Sequence, residues 1–307
     1  MNGTPLRPGD TVGFVGLGKM GLPMARRLLE AGYRVRAHDR SASAAEALRA
    51  AGGATVPGSA ATTRDAAAVV LMLPDSAAVE AVMHDDGLLA AAEPGTVVVD
   101  MGSSRPMNTR ALAQRAAERG VRLVDAPVSG GVKGAVNGTL TVMAGGEPED
   151  VERVRPLLEV IGRRVLHLGP AGAGHALKAL NNLMSATHLL LTGEAMLAGQ
   201  RFGLDPVTML EAVNASSGRS GSTERKWPDH VLPGTFDSGF GLRLMLKDMR
   251  IGVELAEATG VSARLGRAAT ELWAEAAERL PPAADHTEIV TWLRGMFDER
   301  SGGLSSG

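Results

Sequence analysis

The sequence contains no cysteine. That excludes disulfides, thiolate metal sites and a cysteine nucleophile. It also carries little net charge: 32 Lys+Arg stand against 34 Asp+Glu, a formal −2. A dedicated nucleic-acid binder would show a basic excess. Long hydrophobic runs are missing too. The longest, from Ala66 to Leu73, falls far short of the ~20 residues that a membrane span needs. The start, Met1-Asn2-Gly3-Thr4-Pro5, has no basic stretch followed by an apolar core, so no signal peptide is expected. With 44% hydrophobic and 21% charged residues, the composition is that of a globular chain and not a disordered one. A cytoplasmic enzyme is the expected class. Two domains are expected at 307 residues, because single cores stop growing at roughly 250–300 residues.

What is present changes character partway. Up to about Gly169, short apolar runs alternate with Ala-rich stretches. The runs Thr11–Val15, Arg34–His38, Val69–Leu73, Thr96–Asp100 and Val121–Asp125 have the length and β-branched content of buried parallel strands. Helices are expected over Met20–Ala31, Ala42–Ala51, Ala77–Ala92 and Met107–Arg119, several closing on a glycine such as Gly32, Gly52 or Gly120. This alternation predicts a parallel sheet with helices on both faces. Thr139–Ala144 and Arg164–His167 are expected to extend that sheet. Beyond Gly169 the strand signal stops. Helices are expected over 171–201, 205–216, 241–259, 262–279 and 285–298, with Ser216–Phe240 as an ordered surface loop. The tail Ser301–Gly307 reads as frayed. The expected domains are therefore 1–170 and 171–307, an α/β domain followed by an all-α one.

The first strand runs into Gly16-Leu17-Gly18-Lys19-Met20-Gly21, and a helix follows. Strand, GxGxxG and helix in that order form the dinucleotide-binding fingerprint. Gly16 permits the tight turn, Gly18 lets a pyrophosphate approach the backbone, and Gly21 allows close helix packing. Leu17, Lys19 and Met20 complete the cofactor loop, whose helix N-terminus offers N–H groups to the anion. Asp39 ends the second strand 18 residues after Gly21, near the expected ~20, where its carboxylate holds ribose hydroxyls. Arg40 follows: it either accommodates a 2′-phosphate or stacks on adenine. NAD is the expected cofactor, with NADP possible. Leu73, at the end of the third strand, is a further cofactor candidate. Gly13-x4-Gly18-Lys19 imitates a phosphate-binding P-loop, but Met20 stands where the Mg²⁺-binding hydroxyl belongs.

Between His175 and Gly193 the only Lys, Arg, Asp or Glu is Lys178. Asn181, Asn182, Ser185, His188 and Thr192 share its helical face. A solvent-facing stripe normally holds Glu, Lys and Arg, so this one suits either a polar cleft in an apolar surround or a mildly polar surface. In the cleft reading Lys178 loses solvation, which favours the neutral amine that a proton-transfer group needs. Asn182, one turn on, then bonds Lys178 or the reacting oxygen.

Four ordered segments resemble the β-hydroxyacid dehydrogenase family, which includes 3-hydroxyisobutyrate dehydrogenases and tartronate semialdehyde reductases. They are Gly13–Ala25, Asp125–Gly131 continuing to Gly138-Thr139-Leu140, Gly172–Asn182, and Lys247-Asp248-Met249. The resemblance implies a Rossmann-type domain, a helical domain related to that of 6-phosphogluconate dehydrogenase, and a site in the cleft between them. It implies hydride transfer between NAD(P) and a short 3-hydroxy acid or its semialdehyde. Lys178 is then general acid in reduction and base in oxidation, with Asn182 positioning substrate. Ser129, Gly130 and Gly131 hold the substrate carboxylate, Ser103 lies near the nicotinamide, and Lys247 reaches cofactor or substrate. No metal is expected, since Lys178 polarises the carbonyl, and His84-Asp85-Asp86 reads as a solvated surface. The expected partners are a small carboxylate substrate and further copies of the chain as a homodimer or homotetramer; neither nucleic acid nor membrane is expected. Two departures stand out. The segment Asp100-Met101-Gly102-Ser103-Ser104-Arg105-Pro106 has Gly102 where the family often has Ser; the glycine leaves room, and Arg105 adds a cation nearby. Arg219, in the Ser216–Ser220 loop, reaches either an anionic substrate or a carbonyl at a helix end. The competing readings are an NADPH-dependent imine reductase-like enzyme, which usually lacks the Lys, and a non-catalytic dinucleotide-binding module.

Overall fold

The computed structural model describes residues 4–302. The chain divides into two compact units, one ending at Lys178 and one beginning at Ala179. The division falls inside a single long helix, α8 (Ala173–Phe202), a little beyond residue 170.

In the N-terminal unit, β1 (Thr11–Val15), β2 (Arg34–His38), β3 (Ala54–Thr55), β4 (Ala68–Leu71), β5 (Val97–Asp100) and β6 (Arg122–Asp125) form one sheet. Its order is β3-β2-β1-β4-β5-β6, every pair parallel. The order reverses between β1 and β4, and at such a switch point the strand C-terminal ends leave a crevice for a ligand. Residues alternate between the two faces and both faces are buried: Val12, Phe14, Val70 and Val99 join one core, Val15, Val69, Leu71 and Val98 another. That is why the strands read as near-continuous apolar runs. The connecting helices are α1 (Gly21–Glu30), α2 (Ala42–Ala50), α3 (Ser76–Glu80), α4 (Leu88–Ala91) and α5 (Pro106–Ala117).

Several expectations are corrected here. Residues 140–144 and 162–167 do not extend this sheet. With β7 (Val128–Ser129) they form a second, three-stranded sheet, in which β8 (Leu140–Ala144) lies between β7 and β9 (Gly162–His167). Around them sit α6 (Gly131–Asn137) and α7 (Pro148–Ile161). The helix expected over 77–92 is broken: a π-helical turn spans Ala81–Asp85, and Gly87 takes a left-handed φ of 75° before α4. No regular helix continues through that conformation.

In the C-terminal unit, α9 (Pro206–Asn214), α10 (Leu242–Ala258), α11 (Arg264–Arg279) and α12 (Ile289–Gly302) pack around one apolar core with the later part of α8. The segment expected as a surface loop contains π-helical Ser222–Val231, and its Trp227 is fully buried in that core. An aromatic anchor of this size holds a segment that Gly, Ser and Pro would otherwise leave irregular. From residue 303 the predicted frayed tail lies outside the described residues.

Candidate active site

The glycine loop leaves β1 at the switch point. Gly16 has φ 97°, and a Cβ there would meet the Met72 carbonyl oxygen at 2.4 Å; a Cβ on Gly21 would meet the Gly16 oxygen at 1.9 Å. Both glycines are thus required by the protein's own backbone. Gly18 differs: nothing lies within 4 Å of its missing Cβ. Internal packing gives no reason for a glycine there, whereas a bound group pressed on the backbone does. No side chain caps the start of α1; Leu22 N–H is taken by the Gly18 carbonyl and Pro23 has none, which leaves the Gly21 N–H at the helix start for an anion. The half-buried Asp39 braces the loop: Oδ2 accepts from Leu17 N–H at 2.6 Å and Oδ1 from Ser41 N–H at 2.7 Å. Each oxygen keeps a lone pair for a ribose hydroxyl. Lys19 and Arg40 are exposed, and Met20 is half-buried. The Leu73 side chain borders Gly16, its Cδ2 3.3 Å from that glycine's Cβ position. These features fit a dinucleotide.

The ends of β5 and β6 carry two carboxylates that sequence reasoning did not single out. Asp125 is fully buried and holds the start of α8: Gly172 N–H donates to Oδ1 (2.7 Å) and His175 N–H to Oδ2 (2.8 Å). Asp100, also buried, takes Gly102 N–H at 3.0 Å and the Ser104 hydroxyl at 2.9 Å, which fixes the loop containing Ser103. Gly102 does more than leave room, since a Cβ would strike the Leu73 carbonyl oxygen at 2.5 Å. The buried His175 ring lies between the carboxylates. Nε2 is 3.7 Å from Asp100, Nδ1 is 3.8 Å from Asp125, and Nδ1 is 2.8 Å from the Thr109 hydroxyl. That hydroxyl donates to the Arg105 carbonyl, so the ring's Nδ1–H is the donor to it. One cluster therefore ties two strand ends to the helix that presents Lys178 one turn later. The signal in the sequence was an Asp closing each strand just before a turn.

Lys178 is half-buried, as is Ser129 at the end of β7; Gly130 and Gly131 follow it exposed, with φ 135° and 64°. In the C-terminal unit Asn182 is buried and its amide donates to Asp248 Oδ2 at 2.6 Å. Lys247 Nζ lies 3.0 Å from Asp248 Oδ1. The late Lys-Asp element and Asn182 thus form one cluster. The Asn182 amide N–H₂ engages Asp248. Arg219 is exposed and pairs with Glu224 at 3.6 Å. His84 Nε2 lies 3.3 Å from an Arg115 guanidinium nitrogen, and Asp86 accepts from Ser59.

Sequence reasoning also missed Lys226. Its Nζ lies 2.8 Å from Ser185 Oγ and 3.4 Å from the Ser185 carbonyl oxygen. Burial draws its pKa down to about 8, against the opposing pull of Asp285. His286 nearby is held at about 4, first by burial and then by the Lys226 charge.

The comparisons with known proteins agree with this geometry. Residues 11–169 match the family model for the NAD-binding domain of 6-phosphogluconate dehydrogenase. Residues 172–293 match that for the NAD-binding segment of NADP-dependent 3-hydroxyisobutyrate dehydrogenase. The chain belongs to the β-hydroxyacid dehydrogenase family. Among its members, 2-(hydroxymethyl)glutarate dehydrogenase of Eubacterium barkeri is 39% identical over 85% of this chain and 87% of the relative. NAD-dependent L-serine dehydrogenase of Pseudomonas aeruginosa is 40% identical over 85% and 90%. Among solved structures, Mycobacterium tuberculosis 3-hydroxyisobutyrate dehydrogenase with L-serine superposes with TM-score 0.87, at 32% identity, covering 93% of this chain and 99% of that one. A Streptomyces aurantiacus imine reductase, at 24% identity and TM-score 0.63, shares the fold. This β-hydroxyacid dehydrogenase is thus an NAD(P)-binding enzyme that acts on hydroxy acids. No helix among its described residues is long and apolar enough to cross a membrane.

Proposed function

We propose that the enzyme oxidises short 3-hydroxy acids to their semialdehydes, and reduces the semialdehydes, with Lys178 moving the proton. The observation that carries this reading is the placement of Lys178: it is the one charged group on its helix face, one turn after a helix start anchored by Asp125 and His175. In oxidation the Lys178 amine takes the hydroxyl proton as the carbinol C–H bond breaks. In reduction the ammonium returns that proton to the carbonyl oxygen. When bound, the nicotinamide supplies the hydride acceptor or donor. Asn182, held by Asp248, orients the substrate near Lys178. Ser129, Gly130 and Gly131 receive its carboxylate through hydroxyl and backbone N–H groups. Ser103 borders the nicotinamide, Lys247 serves cofactor or substrate, and Gly16, Leu17, Gly18, Lys19, Met20 and Leu73 surround the dinucleotide.

The substrates that name the relatives above, 2-(hydroxymethyl)glutarate, L-serine and 3-hydroxyisobutyrate, share a primary alcohol on the carbon next to the one bearing the carboxylate. We assign this chain the same unit. Asp39 favours NAD over NADP, because a carboxylate bonds the 2′-hydroxyl and repels a 2′-phosphate; Arg40 then stacks on adenine. Exposed Met184, Leu191 and Phe202 along α8 suit a homodimer or homotetramer, and the cytoplasm is its proposed location.

The test is an absorbance assay of reduced cofactor with NAD⁺ and NADP⁺ in parallel. The panel holds 3-hydroxyisobutyrate, glycerate, 3-hydroxypropionate, threonate, 4-hydroxybutyrate and a sulfonate analogue. Turnover of a 3-hydroxy acid with NAD⁺ preferred is expected. Cofactor binding without turnover of any acid would overturn the reading.

A further inference from the structure

The ammonium of Lys226 has three N–H donors and two protein acceptors, Ser185 Oγ and the Ser185 carbonyl oxygen. Among the described residues no carboxylate comes within ion-pairing distance of it. The carboxylate whose field reaches it, Asp285, has both oxygens engaged by the Ser238 and Thr287 hydroxyls and the Gly239 and Thr287 N–H groups. His286, beside it, is neutral or cationic and supplies no counter-charge. Lys226 is half-buried, and a cation that gives up part of its hydration without gaining an anion is left under-compensated.

The place of this cation on α8 supplies the second half. Lys178, Asn182 and Ser185 fall at i, i+4 and i+7 of one unbroken helix. They share a face, and Ser185 lies about 10 Å along the axis from Lys178. Lys226 rests on Ser185. Two hydrogen bonds of about 2.8 Å plus a short carbon chain span that length.

We propose that Lys226 holds a second carboxylate on the substrate, so that the enzyme prefers 3-hydroxy acids whose α-substituent is itself anionic. This rests on the reading of Lys178 given above. It also separates substrate classes: an α-substituent that is a methyl group gains nothing from Lys226, and one that is an ammonium is repelled.

The experiment measures binding of two unreactive analogues, 2-methylglutarate and isobutyrate, to the NAD⁺-loaded enzyme by calorimetry. A charge-assisted hydrogen bond predicts a dicarboxylate preference of roughly tenfold or more. In Lys226→Met and Lys226→Gln the ratio falls to near one, while Lys226→Arg, which keeps the charge, keeps the preference. A wild-type ratio near one overturns the proposal without any variant, and so does a ratio that survives both neutral substitutions. Turnover of the 2-(hydroxymethyl) derivatives of succinate and glutarate against 3-hydroxyisobutyrate is read in parallel. If 2-methylglutarate binds through Lys226 but no 3-hydroxy acid reduces the cofactor, the Lys178 reading fails and this one stands. If monocarboxylates turn over with no dicarboxylate preference, this proposal fails and the Lys178 reading stands.

Discussion

In the N-terminal unit the buried charges are carboxylates. Asp100 and Asp125 end adjacent parallel strands, where turn and helix-start N–H groups converge, and these amides with Ser104 and His175 surround them. In the C-terminal unit a half-buried ammonium, Lys226, rests on one serine with no carboxylate in ion-pairing range. The difference follows from what each architecture offers. Strand ends expose backbone donors that suit anions, whereas the flank of a helix has its N–H groups already paired and leaves a cation a side-chain oxygen and the spare lone pair of a carbonyl. A carboxylate in the first unit is therefore part of the fold. A lysine in the second is poorly satisfied by the fold and available to a ligand.

Four measurements sharpen or break that contrast. The largest effect is expected from Asp125→Ala, which orphans two buried N–H groups and removes a partner of His175. A loss of about 3 kcal/mol or more is expected in denaturant unfolding, and a change within about 0.5 kcal/mol would contradict it.

The second is acid sensitivity of the C-terminal unit. The folded pKa of His286, about 4, lies below its unfolded value. The unfolded chain takes a proton as pH falls below about 6.5 and the folded chain does not until about 4. Stability is therefore full above that window and falls within it, by up to about 3 kcal/mol. His286→Gln flattens the curve between pH 6.5 and 4, and an unchanged slope would contradict the assignment.

Third, Lys226→Met is expected to be about 1 kcal/mol or more stabler than the wild type at pH 7. Because the folded Lys226 pKa of about 8 is below the unfolded one, the advantage fades as the wild type gains stability between about pH 8 and 10.5. A lysine integral to the fold would instead destabilise when replaced. Fourth, Gly18→Ala changes stability by less than about 0.5 kcal/mol, since a Cβ there meets nothing. Cofactor affinity nevertheless falls at least roughly tenfold, because a methyl group enters the space assigned to the pyrophosphate. Equal affinity would remove the pyrophosphate from Gly18.

The sequence made much of the first unit legible because its signals are local. β1 and β2 stand where their apolar runs placed them, and the GxGxxG loop joins strand to helix as its spacing required. Lys178 and Asn182 were visible as departures from a helix pattern. The misses have physical causes. An apolar run announces a strand but not its partners, so β8 and β9 were assigned to the wrong sheet. The Ala-rich run over 77–92 carries helix propensity throughout, and only Gly87 marked the break. Helix α7 went unread although Pro148, Glu149 and Asp150 open it and Val151, Val154, Leu158 and Ile161 face its core. The clusters around His175 and Lys226 join residues 50, 66 and 41 positions apart, and no local pattern announces such contacts.

The most direct test of the assigned chemistry is Lys178→Met, read twice: by titration of NAD(H) binding and by turnover of the best hydroxy acid in the panel. Cofactor affinity is expected to hold while turnover falls by about two orders of magnitude or more. Turnover within about tenfold of the wild type, with the cofactor still bound, would contradict a proton-transfer role for Lys178.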